Sequence, residues 1–168
     1  MPAPKPLQVL VLERLQAALE EIVKGDTYSS TLKGKVFIGR NVFDENDSHE
    51  EEDIIIAILE NPVPPEERKQ STRGAGSVSG DWALFIQGFV PVEKNPDRFE
   101  NREAYCVKED ILCRLSELNN RRSDFSGANY VLDIPEITDF KFDRGVVQPI
   151  EDRSNDAIFY IPLTIDLA

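Results

Sequence analysis

Apolar residues recur at helical spacing near the start of the chain. Leu12, Leu15, Leu19 and Ile22 fall three and four apart, Val11, Ala18 and Val23 widen the stripe, and Arg14, Gln16, Glu20 and Glu21 fill the other side. Pro6 suits a first turn, where a missing N–H costs nothing, and Gly25 after Lys24 reads as the stop. The spacing predicts an amphipathic helix packed on something. The pattern then changes period. "GKVFIGRNVF" alternates, with Val36, Ile38 and Arg40 on one face and Phe37, Gly39 and Asn41 on the other, and predicts a strand from Lys35 to Val42. "IIIAILE" from Ile54 is a short, nearly continuous apolar run rich in β-branched residues, which suits a central strand covered on at least one face.

In "WALFIQGFVPV", Trp82, Leu84 and Ile86 alternate with Ala83, Phe85 and Gln87, and Pro91 marks an edge or a strand terminus. The helical period returns at Ala104, Val107, Ile111, Leu115 and Leu118, with Leu112 alongside. "ITDFKFDRGVV" sets Ile137, Asp139, Lys141 and Asp143 against Thr138, Phe140 and Phe142, and "DAIFYIPLTIDL" closes the chain in the same style. Gly145 and "QPIEDRSND" read as a broad turn joining a terminal antiparallel hairpin. The order is helix, three strands, helix, two strands. Strands that follow one another without a helix favour antiparallel pairing. The expected fold is α+β, a single domain over 1–168, with two helices on one face of a mainly antiparallel sheet of about five strands.

Three polar stretches interrupt these elements. "DENDSHEEED" places seven acids in ten positions, which like-charge repulsion keeps in water. Residues 61–81 have no period and carry three prolines and three glycines, and so predict a long flexible loop or arm. "NNRRSDFSGANY" is a further connector. The whole chain is acidic, with 31 Asp and Glu against 19 Lys and Arg and a net charge of −12. That sign opposes binding of a phosphate backbone and suits basic partners, or a wall past which DNA slides without sticking.

Candidate chemistry changes little. Gly74 and Gly76 begin a dinucleotide fingerprint, but Ser79 stands at the third place and a strand follows, so a phosphate would meet no helix N-terminus. "GSVSG" inverts the nucleophile elbow, with Val78 at its centre, and "LKGKV" lacks the upstream glycine and the hydroxyl of a P-loop. A calcium loop begun at Asp44 would put His49 where glycine is needed and Ile55 where the bidentate glutamate belongs. Cys106 and Cys113, roughly 10 Å apart along a helix axis, cannot form a disulfide, and with one histidine the chain has no soft set for zinc. No cofactor, no metal and no enzymatic activity are expected. No apolar run reaches the roughly 20 residues that span a membrane, and the N-terminal run lacks a cleavage site, so synthesis in the cytoplasm is expected.

Arg68, Lys69 and Arg73 put a basic arm on an acidic body. Such an arm can pair with an acidic patch on an identical neighbour, head to tail. Those three residues, with Ser77, Arg40 and Arg144, are the candidate contacts to other subunits or partners.

The layout, an N-terminal amphipathic helix, "KVFIGR", an apolar strand, a long excursion, "WALFIQGF", the helix "EDILCRL" and a closing "DAIFYIPLTIDL", resembles the tail terminator (tail completion) proteins of long-tailed bacteriophages. The resemblance is one of element order and strand style over most of the chain. It implies a non-enzymatic structural protein of the virion tail or neck. It further implies a closed ring, six-membered in that family, which stops tube polymerisation and joins the tail to the head. The implied partners are further copies of itself, the tail tube protein and the head–tail connector protein, with DNA passing the lumen without specific binding. Other neck or tail components, or an acidic protein that imitates DNA, are the alternative readings. A small hydrolase with an acidic metal site ranks behind them.

Overall fold

The structure, a computed structural model, describes residues 2–39, 53–60, 80–92, 99, 101–120, 130–148 and 156–168. Among the described residues its elements are α1 (Leu7–Glu20), β1 (Val36–Ile38), β2 (Ile55–Glu60), β3 (Gly80–Pro91), α2 (Arg102–Asn120), a 3-10 turn (Val131–Asp133), β4 (Ile137–Phe142), β5 (Val146–Gln148) and β6 (Asp156–Leu167). The strands form one sheet in the order β1-β2-β3-β6-β4, with β5 also on β6. The fold is α+β, as the alternation of periods requires, with six strands where about five were expected.

One face of the sheet carries the core. Val36, Ile56, Ile58, Leu84, Ile86, Val90, Phe159, Ile161, Leu163 and Ile165 are buried there with Val11, Leu15 and Leu19 of α1 and Val107, Ile111 and Leu115 of α2. Both helical stripes therefore pack as their spacing predicts, except that Val23 stands 51% exposed. Pro91 is the last residue of β3, an interior strand, so it marks a terminus and not an edge.

Four expectations are corrected. The β1–β2 pair is parallel, with Val36 opposite Ile56 and Ile38 opposite Ile58. A parallel neighbour needs a crossover of about a dozen residues or more, and the chain between Ile38 and Ile55 is long enough for one. The first helix ends at Glu20, well before Gly25. The Arg114 guanidinium takes the Ala18 carbonyl at 3.0 Å, the Ile22 N–H donates instead to Leu19 O at 3.1 Å, and the last turn tightens and closes. The strict alternation read over 137–143 is broken by a register shift between Ile137 and Asp139, which puts Ile137 on the core face together with Phe140. The broad turn after Gly145 contains β5, whose Val146, Val147 and Gln148 pair with Tyr160, Phe159 and Ile158. The strand predicted over Lys35–Val42 is described for Val36–Ile38, followed by Gly39 at φ 90°, and residues 40–42 lie outside the described residues.

Three charged residues of α2, Lys108, Asp110 and Arg114, are buried and fasten the helix to its surroundings. Asp110 accepts from the backbone N–H groups of Ser29 and Ser30 and from both hydroxyls, at 2.5–3.1 Å. Arg114 also pairs with Glu21 and with Glu117, the latter at 3.1 Å. Tyr28 donates its hydroxyl to Glu117 at 2.9 Å. This network ties the turn after α1 to the middle of α2. Asp110→Ala leaves the buried Ser30 donors without their acceptor, and a loss of about 2–4 kcal/mol is expected in urea unfolding. A loss under about 0.5 kcal/mol would mean that water replaces the carboxylate.

Burial first, then the bond to Glu117 and its charge, push the Tyr28 phenol up to about 12 from 10.0. The fold therefore favours the neutral phenol. That contribution is complete below pH 10 and is lost as pH rises from about 10 through about 12. Between those limits Tyr28→Phe is expected to show a shallower alkaline decline in stability than the parent, followed by melting temperature against pH.

Candidate functional site

Neither helix packs on the second face of the sheet. Ala57 and Leu59 are buried there in a cluster of their own, with Phe37, Ile55 and Phe85 half-buried around them. The Phe85 and Tyr160 rings lie 5.9 Å apart at 57°, and Gln87 Nε2 donates to the Tyr160 hydroxyl at 3.1 Å. Sequence alternation accounts for this arrangement. Phe85 and Gln87 are the positions of β3 that alternate with the core residues Leu84 and Ile86, and Tyr160 holds the same relation to Phe159 and Ile161 in β6.

At one end the same face turns acidic. Asp81 of β3 is the register partner of Asp166 of β6, and Asp166 is also the partner of Asp139 in β4. Three carboxylates thus stand in a row across adjacent strands, an arrangement that costs stability unless cations answer it. Lys141 answers part of it, with Nζ 2.9 Å from Asp139 Oδ2. The bond to Asp139 and that carboxylate's charge, with smaller contributions from Asp81 and Asp166, hold the Lys141 ammonium above its ordinary value. No local sequence pattern announces the row, because cross-strand register decides which acids become neighbours.

The row does not form a metal centre: among the described residues no group of three or more His, Cys, Asp or Glu could hold a metal ion. Cys106 and Cys113 are free thiols on α2. Burial and the nearby Glu117 and Asp110 carboxylates push the Cys113 thiol up, which lowers its thiolate fraction and so its reactivity. Among the described residues no helix is long and apolar enough to cross a membrane. The described part of the face thus carries half-buried rings at one end and carboxylates at the other.

Of the residues expected to make contacts, Arg68, Lys69, Arg73, Ser77 and Arg40 lie outside the described residues. Arg144 is described. It is exposed at the kink between β4 and β5, its N–H donating to Asp143 Oδ1 at 2.6 Å and its carbonyl accepting from Lys108 Nζ at 3.0 Å. Its backbone is held while its side chain stands in solvent. No protein-family model matches the chain, and no curated protein matches it.

Proposed function

We propose that the chain is a structural tail terminator of a long-tailed bacteriophage. In this reading copies of it close into a six-membered ring at the head-proximal end of the tail tube, end tube polymerisation and join the tail to the head connector. The observation that carries the reading is the second sheet face, where the Phe85–Tyr160 pair and the Asp81–Asp166–Asp139 row lie clear of both helices. Such a face suits contact with a neighbouring protein better than it suits a small molecule, since its functional groups are spread over a plane and not gathered in a cleft. The element order named above for the resemblance supports the same conclusion, and a net charge of −12 fits a lumen past which DNA moves without adhering.

Capping of purified tail tubes is the direct test. Added protein should halt tube growth and appear as a ring on one tube end in electron microscopy. Tubes that keep growing at saturating protein would reject the proposal. Removing residues 66–78, which include Arg68, Lys69 and Arg73, is expected to leave thermal stability nearly unchanged and to weaken assembly on tubes. A collapse in stability on that deletion would make the segment part of the core instead.

The carboxylate row also favours a second reading, imitation of a nucleic-acid backbone. That reading expects competition with DNA for a basic DNA-binding protein, and no capping of tubes.

A further inference from the structure

A sheet ends in two strands whose outward backbone groups are templates for another strand. Here, among the described residues, side chains at both ends occupy some of those groups. In β1 the bonds from Ile56 N–H to Lys35 O and from Gly39 N–H to Ile58 O set the alternation, so the Val36 carbonyl points away from β2. Gln16 of α1 donates its Nε2 to that carbonyl at 2.7 Å. The polar side of α1 thus reaches over the strand edge.

On the opposite edge, side chains of the strand itself and of the kink after it take two of these groups. Asp143 N–H donates to Pro162 O at 3.0 Å, so the N–H groups of Phe140 and Phe142, in the alternate positions, face outward. Phe140 N–H donates to Asp139 Oδ1 at 3.0 Å, and Arg144 N–H donates to Asp143 Oδ1 at 2.6 Å. Lys141 holds the other oxygen of Asp139 at 2.9 Å, and Lys108 takes the Arg144 carbonyl at 3.0 Å from the helix side. The register shift at Ile137/Asp139 and the positive φ of Gly145 further spoil the edge as a flat template.

We propose that Asp139 and Asp143, with Gln16 at the far edge, are edge-closing residues that prevent a second copy of this chain from adding a strand to the sheet. Copies that assemble then meet through faces and loops and do not continue the sheet from one subunit into the next. The inference stands whether or not the protein caps a tail tube, because it concerns only how two copies can meet.

The test compares Asp139→Ala/Asp143→Ala with Asp139→Asn/Asp143→Asn in the full chain. Asparagine keeps an acceptor oxygen and removes the charge, whereas alanine removes both. Light scattering against concentration is expected to show the alanine pair self-associating at a concentration about tenfold or more below the parent, with infrared absorption of intermolecular strands. The asparagine pair is expected to follow the parent. Equal association of both pairs would assign the effect to charge and overturn the proposal, as would no change in either. Amide hydrogen exchange in the unmodified protein gives a second readout that does not depend on the variants folding. After correction for intrinsic rates, the Phe140 and Arg144 amides are expected to exchange at least about fivefold more slowly than Phe142. Equal rates would overturn the proposal as well.

Discussion

Gly145→Ala is expected to cost about 2–5 kcal/mol, seen as a lowered urea midpoint with an unchanged slope. Two effects add. Gly145 sits at φ 72°, where a side chain is strained by roughly 1–2 kcal/mol. A Cβ there would also lie 2.0 Å from the Tyr160 carbonyl oxygen and 3.1 Å from the Ile161 Cα. Those atoms belong to the backbone of β6 and cannot swing aside, so β5 would have to lift off. Gly34 separates the two effects. Its φ is 73°, yet a Cβ there meets nothing within 4 Å. Gly34→Ala is expected to cost only about 1 kcal/mol. Equal costs at the two positions would mean that strain alone accounts for Gly145 and that the close approach to β6 relaxes freely. The position also bears on assembly, because Gly145 makes the kink that presents Arg144 to solvent and interrupts the outer edge of the sheet.

The parts of the fold legible in the sequence are those governed by neighbours along the chain. The α2 stripe of Ala104, Val107, Ile111, Leu115 and Leu118 is buried as its spacing predicts, because a helix places residues three and four apart on one face whatever it packs against. The alternation in β6 survives for the same reason, every second residue from Ala157 to Leu167 being buried. What was not legible depends on residues far apart. No local pattern states whether β1 runs with or against β2, since the path of the connector decides it. Lys108, Asp110 and Arg114 lie outside the apolar stripe, yet all three are buried, because their partners are the Arg144 carbonyl, the Ser29–Ser30 turn and the Ala18 carbonyl.

The second sheet face was half legible. Alternation set Phe85 and Gln87 on the face away from Leu84 and Ile86, but only the pairing of β3, β6 and β4 brings Asp81, Asp166 and Asp139 into one row. The basic arm stands out by composition alone, and composition carries no geometry. The row is nonetheless of the sign that Arg68, Lys69 and Arg73 would answer. The two closed edges narrow the alternatives further. If Gln16, Asp139 and Asp143 close the edges as proposed, association through faces and loops is favoured over continuation of the sheet.

Gly88→Ala is expected to be the other severe substitution, although its backbone is unstrained. Gly88 lies between Ile56 of β2 and Phe159 of β6 in the middle of the sheet. A Cβ there would fall 2.1 Å from two carbons of the Phe159 ring. That ring is fully buried and occupies the space that the glycine leaves, so it can yield only by leaving its rotamer and displacing the core around it. Overpacking of this kind costs about 1–3 kcal/mol, and the enclosed position of the ring places the expectation at the upper end. Phe159→Leu alone should also destabilise, by about 1–3 kcal/mol, through the volume it removes. If the conflict is steric, the double variant loses less than the two singles together, by about 1 kcal/mol or more. Simple additivity would mean that Gly88 serves some other purpose. The outcome matters beyond stability because β3 and β6 pair over their whole length, Gly80 with Leu167 through Pro91 with Asp156. A shift forced at Gly88 and Phe159 would be carried along that ladder to Phe85 and Tyr160 on the opposite face. A severe loss of stability should therefore be accompanied by a weakening of whatever contact that face makes.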